Sequence, residues 1–218
     1  MKKEQQFKEL VESWEKLSEE YPDLEVEAFC LHYLAQKRKV HLTPSSIGMS
    51  TDAKLSGLCG RLAKYATYYS KRALEPHEIR SIEDWVYLAR LMQMGSPTKS
   101  ELIVEMVSEF PSGIDVIKRL IKNGWVEEYP DEFDRRSKRV RVTESGRNLL
   151  FSTFQRMEDV SKVAFQPLDT LEKELLFLIL HKLDTFHQQT HPQVRQFSHE
   201  DACTFFENIQ ESDGVNNR

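Results

Sequence analysis

Paired cysteines are missing from this sequence. It holds only Cys30, Cys59 and Cys203, far apart and odd in number, so neither a disulfide framework nor a zinc ribbon can be built from them. Such usage fits a reducing compartment. Long apolar runs are missing too. The most apolar stretch, Leu175 to Leu180, is far below the ~20 residues that a bilayer-spanning helix needs. The opening MKKEQQFKEL lacks the apolar core of a signal peptide, so the expectation is a soluble cytoplasmic protein with no membrane partner. A positive charge balance is likewise absent. The formal net charge of -5 argues against a protein that coats nucleic acid, while leaving room for a site-specific binder with its cations on one face. Catalytic constellations are the last absence. There is no nucleophile elbow, phosphate-binding glycine loop, HExxH or paired-cysteine motif, so no enzyme, catalytic residue or cofactor is expected.

What is present is organised around Phe110 to Gly146. With 39% hydrophobic residues in 218, the chain can bury a core. FPSGIDVIKRLIKNG reads as a short helix over 112–123. Ser112 is a good N-cap, and Asp115 can complete a capping box. Ile114, Ile117, Leu120 and Ile121 share one face, with Lys118, Arg119 and Lys122 on the others. Gly124 stands where a left-handed glycine ends a helix. Two β-favouring runs follow, Trp125 to Tyr129 and Arg139 to Val142, around the turn-forming PDEFDRRSK. Arg135, Arg136, Lys138, Arg139 and Arg141 gather in that hairpin, a basic cluster in an acidic chain that points to a phosphate-facing surface.

The run Asp134 to Gly146, DRRSKRVRVTESG, resembles the D-x-R-S-K-x-V-x-[LV]-T-x-x-G wing of the MarR family. Arg119 to Val126 is similar to that family's junction between helix end and strand, and the two motifs lie in the right order and at the right distance. The resemblance extends from Thr51 to about His187. It implies a mainly α fold: a winged helix-turn-helix with a small β-hairpin wing and a helical dimerisation region. It further implies a homodimeric transcription factor, usually a repressor, that leaves its operator when a small ligand binds or a group is oxidised.

On that footing the chain divides into a helical extension and linker (1–45), a dimerisation helix (51–76), a DNA-binding domain (77–146), C-terminal dimerisation helices (147–191) and a partly disordered tail (192–218). In the extension, Phe7, Leu10, Val11, Trp14 and Leu17 form one apolar stripe. Pro22 and Asp23 interrupt it before a second helix from Val26, and KRKVHLTPSS reads as linker. Leu55, Leu58, Leu62, Tyr65 and Tyr69 make an amphipathic stripe, with Gly57 and Gly60 open to a second backbone. Ser81 caps the next helix, whose inward residues are Trp85, Leu88, Ala89 and Met92. Thr98 to Glu101 forms a capping box for the first reading-head helix. After Thr143 a long helix turns Leu149, Leu150, Phe154, Met157 and Val160 inward, and a second starts at Asp169 or Thr170. That second helix is apolar all round over Leu175 to Leu180, so a partner subunit is expected to cover it.

The residues expected on double-stranded DNA are Lys99, Ser100, Ser112, Gly113, Asp115, Lys118, Arg135, Arg136 and Lys138, contributed by the helix and by a wing of 130–138. By analogy with the family, Arg136 enters the minor groove. Asp134 would hold a wing arginine or Arg119. Asp115 is read as a cap in preference to a cytosine contact, although its charge opposes phosphate. Self-association is assigned to Leu55, Leu58, Leu62, Leu175, Leu178 and Ile179, and a cleft for a small effector to Tyr65, Tyr68 and Tyr69. His187 and His191 share a helical face without an obvious third ligand, so no metal is assigned. Cys30 and Cys59 read as inert packing. The competing reading is a winged-helix adaptor that binds protein and has lost DNA, favoured by Asp115, Glu105, Glu109, Glu127 and Glu128 around the reading head.

Overall fold

The computed structural model describes residues 2–37, 48–134 and 136–216. Most of the expected linker, and Arg135, lie outside them. The architecture is mainly helical with one two-stranded antiparallel sheet, as the sequence predicts. Two compact units are present, Met1–Leu58 and Cys59–Arg218.

In the first unit, α1 (Lys2–Glu20) ends just before Pro22, and α2 spans Val26–Lys37. Phe29 is buried between them, edge-on to Trp14 at 5.0 Å and beside Tyr33 at 5.7 Å. With Leu17 it makes a small aromatic core of the kind the apolar stripes demand.

Helix α3 spans Thr51–Leu74, and only its last turn, at Ser70 and Leu74, enters a core. Helix α4 (Ile82–Met94) begins at Ser81, whose hydroxyl accepts the Asp84 N–H, and ends at Gly95 with φ +81°. Its buried residues are Asp84, Tyr87, Leu88 and Leu91. Met92, expected inward, is exposed; the buried face is centred a fraction of a turn away, on Leu88 and Leu91. Helix α5 (Lys99–Glu105) carries the expected capping box between Thr98 and Glu101.

Helix α6 runs Phe110–Lys122, two residues earlier than expected. Ser112 is therefore no cap, and Asp115 lies in the second turn, beyond the capping position. The N-cap is Glu109, with no side-chain bond, and Pro111 sits in the first turn, where a missing N–H costs nothing. The helix ends in a Schellman motif. The Gly124 N–H bonds Ile121 O at 2.9 Å and the Trp125 N–H bonds Leu120 O at 3.1 Å, with Gly124 at φ +74°.

Strands β1 (Val126–Pro130) and β2 (Lys138–Val142) pair in the register Val126↔Val142 through Pro130↔Lys138. A third element joins them: Thr98 bridges Arg139, and the Val140 N–H bonds Pro97 O at 3.0 Å. Thr143 caps α7 (Glu144–Phe165) through the Gly146 N–H, and its own hydroxyl donates to Gly124 O at 2.7 Å. One residue thus fastens the end of α6 to the start of α7. Asp169 and Glu172 form a capping box for α8 (Thr170–Val194), which carries Pro192 in its last turn and outlasts the expected stop. Helix α9 covers His199–Asn216, running through residues expected to fray. Among the described residues no helix is long and apolar enough to cross a membrane.

Candidate nucleic-acid interface

The core of the second unit positions a reading head. Leu102 and Ile103 of α5, Val116, Ile117 and Leu120 of α6, and Val126 and Val140 of the hairpin are buried together. That leaves the outer faces of α5, α6 and the wing as one surface. Between them lies an open groove of about 380 Å³, lined by Lys99, Ser100, Phe110, Ile114, Asp134, Arg136, Ser137 and Lys138. Ser112, Asp115 and Lys118 stand exposed on α6 at intervals of three residues, one row along its outer side. Of the expected DNA contacts, then, four line the groove and three stand on the helix beside it.

Gly113 is the exception. It is buried against α5 and α4, where an added Cβ would lie 2.6 Å from Ile103 Cγ1 and 2.9 Å from the Tyr87 hydroxyl. Its place in the sequence beside Ser112 made it look like a groove residue; in space it is packed against Ile103 and Tyr87, and it offers DNA no surface. Tyr87 itself donates to Ser108 Oγ at 2.6 Å, and burial pushes its phenol above the ordinary range.

Nearly every cation of this surface meets a carboxylate. Glu128 takes Lys138 at 2.5 Å on one oxygen and Lys99 on the other. Arg141 pairs with Glu127 at 2.6 Å and lies over the Tyr129 ring. Lys118 reaches Asp115 at 3.6 Å, which gives Asp115 an ion-pair role in place of the expected cap. Arg119 is gripped by the buried Asp84 at 2.6 Å and by Glu83 at 3.2 Å, chiefly through the Asp84 hydrogen bond, which raises its pKa. Asp134, expected to hold Arg119 or a wing arginine, makes no ion pair with a described arginine, Arg119 and Arg139 being held by Asp84 and Asp131. The Asp134 carboxylate accepts the backbone N–H of Arg136 at 2.9 Å in a local turn, too far along the wing to serve the base of the sheet.

Asp131 does that work. Buried at the root of the wing loop, it accepts the N–H groups of Phe133 at 2.8 Å and Asp134 at 2.9 Å and pairs with Arg139. Those two backbone donors, Asp134 first, and then Arg139 hold its carboxyl below the usual carboxylate range. Arg139 also donates to Ser96 O at 2.7 Å, tying the loop back to the start of α5. The wing is therefore a braced loop that leaves Arg136 exposed, with no carboxylate among the described residues on its guanidinium. Phe133 projects beside it, 94% exposed, an aromatic that the sequence reading passed over.

The other expected sites are spread wider. Leu55, Leu58, Leu62, Leu178 and Ile179 are exposed, and Leu175 is half-buried. Among the described residues, a Cβ on Gly57 or Gly60 would meet open space beyond its own helix backbone. Tyr65, Tyr68 and Tyr69 do not converge on one cleft. Tyr69 lines a hollow of about 260 Å³ with Ala73, Arg156, Asp159, Val160 and Val163, while Arg61 donates to Tyr65 at 3.1 Å and Arg72 lies over Tyr68. Cys30 and Cys59 are exposed and not packed, because the helix faces that carry them are uncovered. His187 is edge-on to Phe186 and Phe206, and among the described residues no group of three His, Cys, Asp or Glu is placed to hold a metal ion.

Residues 86–146 match the family model of a winged helix DNA-binding domain. No curated protein matches the chain in sequence. Solved structures share its fold at low identity. A mutant of MarR from E. coli, in complex with operator DNA, is 21% identical with a TM-score of 0.56, over 60% of this chain and 93% of that one. A probable transcriptional regulator from Pseudomonas aeruginosa is 20% identical with a TM-score of 0.56, over 62% and 99%. BpsR from Bordetella bronchiseptica, whose DNA binding is regulated by 6-hydroxynicotinic acid, is 19% identical with a TM-score of 0.56, over 60% and 98%.

Proposed function

We propose that this chain, a winged helix DNA-binding domain set in the fold of the MarR regulators, is a transcriptional regulator that binds a pseudo-palindromic operator as a homodimer. The observation that carries the reading is the groove between α5, α6 and the wing, with the exposed row Ser112, Asp115, Lys118 along one side and the unpaired Arg136 at the other. A helix of this length fits the major groove, and an arginine on a braced loop suits the narrow minor groove alongside. Lys99, Ser100 and Lys138 then lie where phosphates pass.

Homodimerisation is supported by the exposed leucines of α3 and the apolar girdle of α8, a surface that water penalises at roughly 25 cal/mol per Å². A small effector would fit the hollow beneath Tyr69, where Arg156 offers a cation and Val160 and Val163 an apolar wall. Such an effector would regulate DNA binding, as the ligand of BpsR does on that protein, and repression is the mode the resemblance to the family suggests. A protein-binding adaptor is the second reading, favoured by the carboxylates that neutralise the head's cations.

A mobility-shift titration on the DNA flanking the chain's own gene tests the reading. Wild type should give a discrete shifted band, and Arg136→Ala should weaken it at least severalfold while flattening preference for A·T pairs beside each half-site. A wild type that shifts nothing, or an Arg136→Ala variant that binds like wild type, contradicts it.

A further inference from the structure

Glu128 occupies an unusual place in the sheet. On β1 it shares a face with Val126 and Pro130, and across the strand pair with Val142, Val140 and Lys138. The valines of that face are buried in the core. Glu128 stands where the core opens towards the groove, its side chain 29% exposed, between the first residue of α5 and the first of β2. Its two oxygens are divided between the ammonium groups of Lys99 and Lys138. Those lysines line the groove from both sides. Hydrogen bonds from Lys138 and then Lys99 hold the Glu128 carboxyl below the usual carboxylate range, so it is charged at neutral pH.

An ammonium that already faces a carboxylate releases fewer counterions, and gains less, when a phosphate arrives. The same holds for Lys118 with Asp115 and Arg141 with Glu127. Among the described basic residues of α5, α6 and the wing, only Lys122 and Arg136 lack a carboxylate partner. We propose that Glu128 is a built-in competitor for DNA phosphate: it occupies Lys99 and Lys138 and so keeps sequence-independent binding weak, leaving affinity to be set by contacts that a matched site alone supplies. The inference rests on the DNA-binding reading above and deepens it. A negative chain gains from such a device, because a head of free lysines would be drawn to any duplex.

Glu128→Gln keeps the shape and removes the charge. Binding of the full chain to a random-sequence duplex, followed by fluorescence anisotropy at several salt concentrations, reads the effect. The variant should bind more tightly at low salt. Its plot of log K against log salt should steepen by about 0.9 per freed lysine, about 1.8 per subunit, or roughly tenfold more affinity lost between about 50 and 200 mM. Adding Lys99→Gln and Lys138→Gln to it should restore the shallow slope. Equal slopes for wild type and Glu128→Gln, or weaker binding by the variant, overturn the proposal while DNA binding itself stands. Failure of Glu128→Gln to bind at the lowest salt overturns this proposal, and the DNA-binding reading falls with it where the operator titration also shows no shifted band.

Discussion

Single residues in this chain do two jobs where the sequence advertises one. Thr98 caps α5 and also bridges Arg139 of the wing. Thr143 caps α7 and also satisfies the Gly124 carbonyl. Gly113 allows α6 to approach Ile103 and Tyr87, so Gly113→Ala sets two effects against each other. Alanine favours a helix by about 1 kcal/mol over glycine. The Cβ must push aside a branched side chain 2.6 Å away and a hydrogen-bonded phenol 2.9 Å away, and overpacking of that kind costs about 1–3 kcal/mol. The clash should win, because Ile103 is itself buried and has little room to move. Thermal unfolding is expected at a Tm several degrees below wild type; an unchanged or raised Tm would show that the contact yields easily. The caps at Ser81, Thr98 and Thr143 were legible because Ser and Thr before an apolar stripe have few other uses. The role of Gly113 was not, since a glycine carries no mark of the neighbour it admits. Nor was the grip of Asp84 on Arg119, which joins residues 35 positions apart.

At the scale of elements, periodicity located nearly every helix, and turn chemistry located the hairpin. The start of α6 was misplaced for a physical reason. Ser112 is the best capping residue nearby, but Pro111 is equally at home in a first turn, and the chain uses the proline. Helix α8 shows where a pattern speaks about surroundings. Its apolar girdle predicted burial on several sides, whereas Phe177, Leu178 and Ile179 are 66%, 62% and 48% exposed in the single chain. Leu178→Asp with Ile179→Asp should therefore leave the winged helix folded and abolish self-association, because a dimer interface would have to bury both charges unpaired. Sedimentation equilibrium at micromolar concentration reads this directly. A wild type that sediments as a stable monomer, or a variant that still dimerises, contradicts the assignment of α8.

For the whole molecule, the winged helix was the most legible part. Its wing motif, capping box and terminal glycine are short-range signals, and they reinforce one another at fixed spacing. The effector cleft was least legible. Tyr65, Tyr68 and Tyr69 are neighbours in sequence, but Tyr69 lines a hollow with α7 residues while Tyr65 meets Arg61 and Tyr68 meets Arg72 of their own helix. Electrostatics lay between these extremes. The basic run in the wing was plain, yet the carboxylates on it, Glu127 and Glu128 of β1 and Asp131 at the root of the loop, meet their partners only once the hairpin closes. The central claim, two winged helices related by a two-fold axis on one duplex, makes a geometric demand. Half-sites must lie about one helical turn apart, so that both recognition helices enter the same face of the DNA. Hydroxyl-radical footprinting of the full chain on the DNA upstream of its own gene measures that spacing. Two protected segments about 10 base pairs apart, centre to centre and symmetric about a point, are the expected result; a single asymmetric segment, or no protection at all, contradicts it.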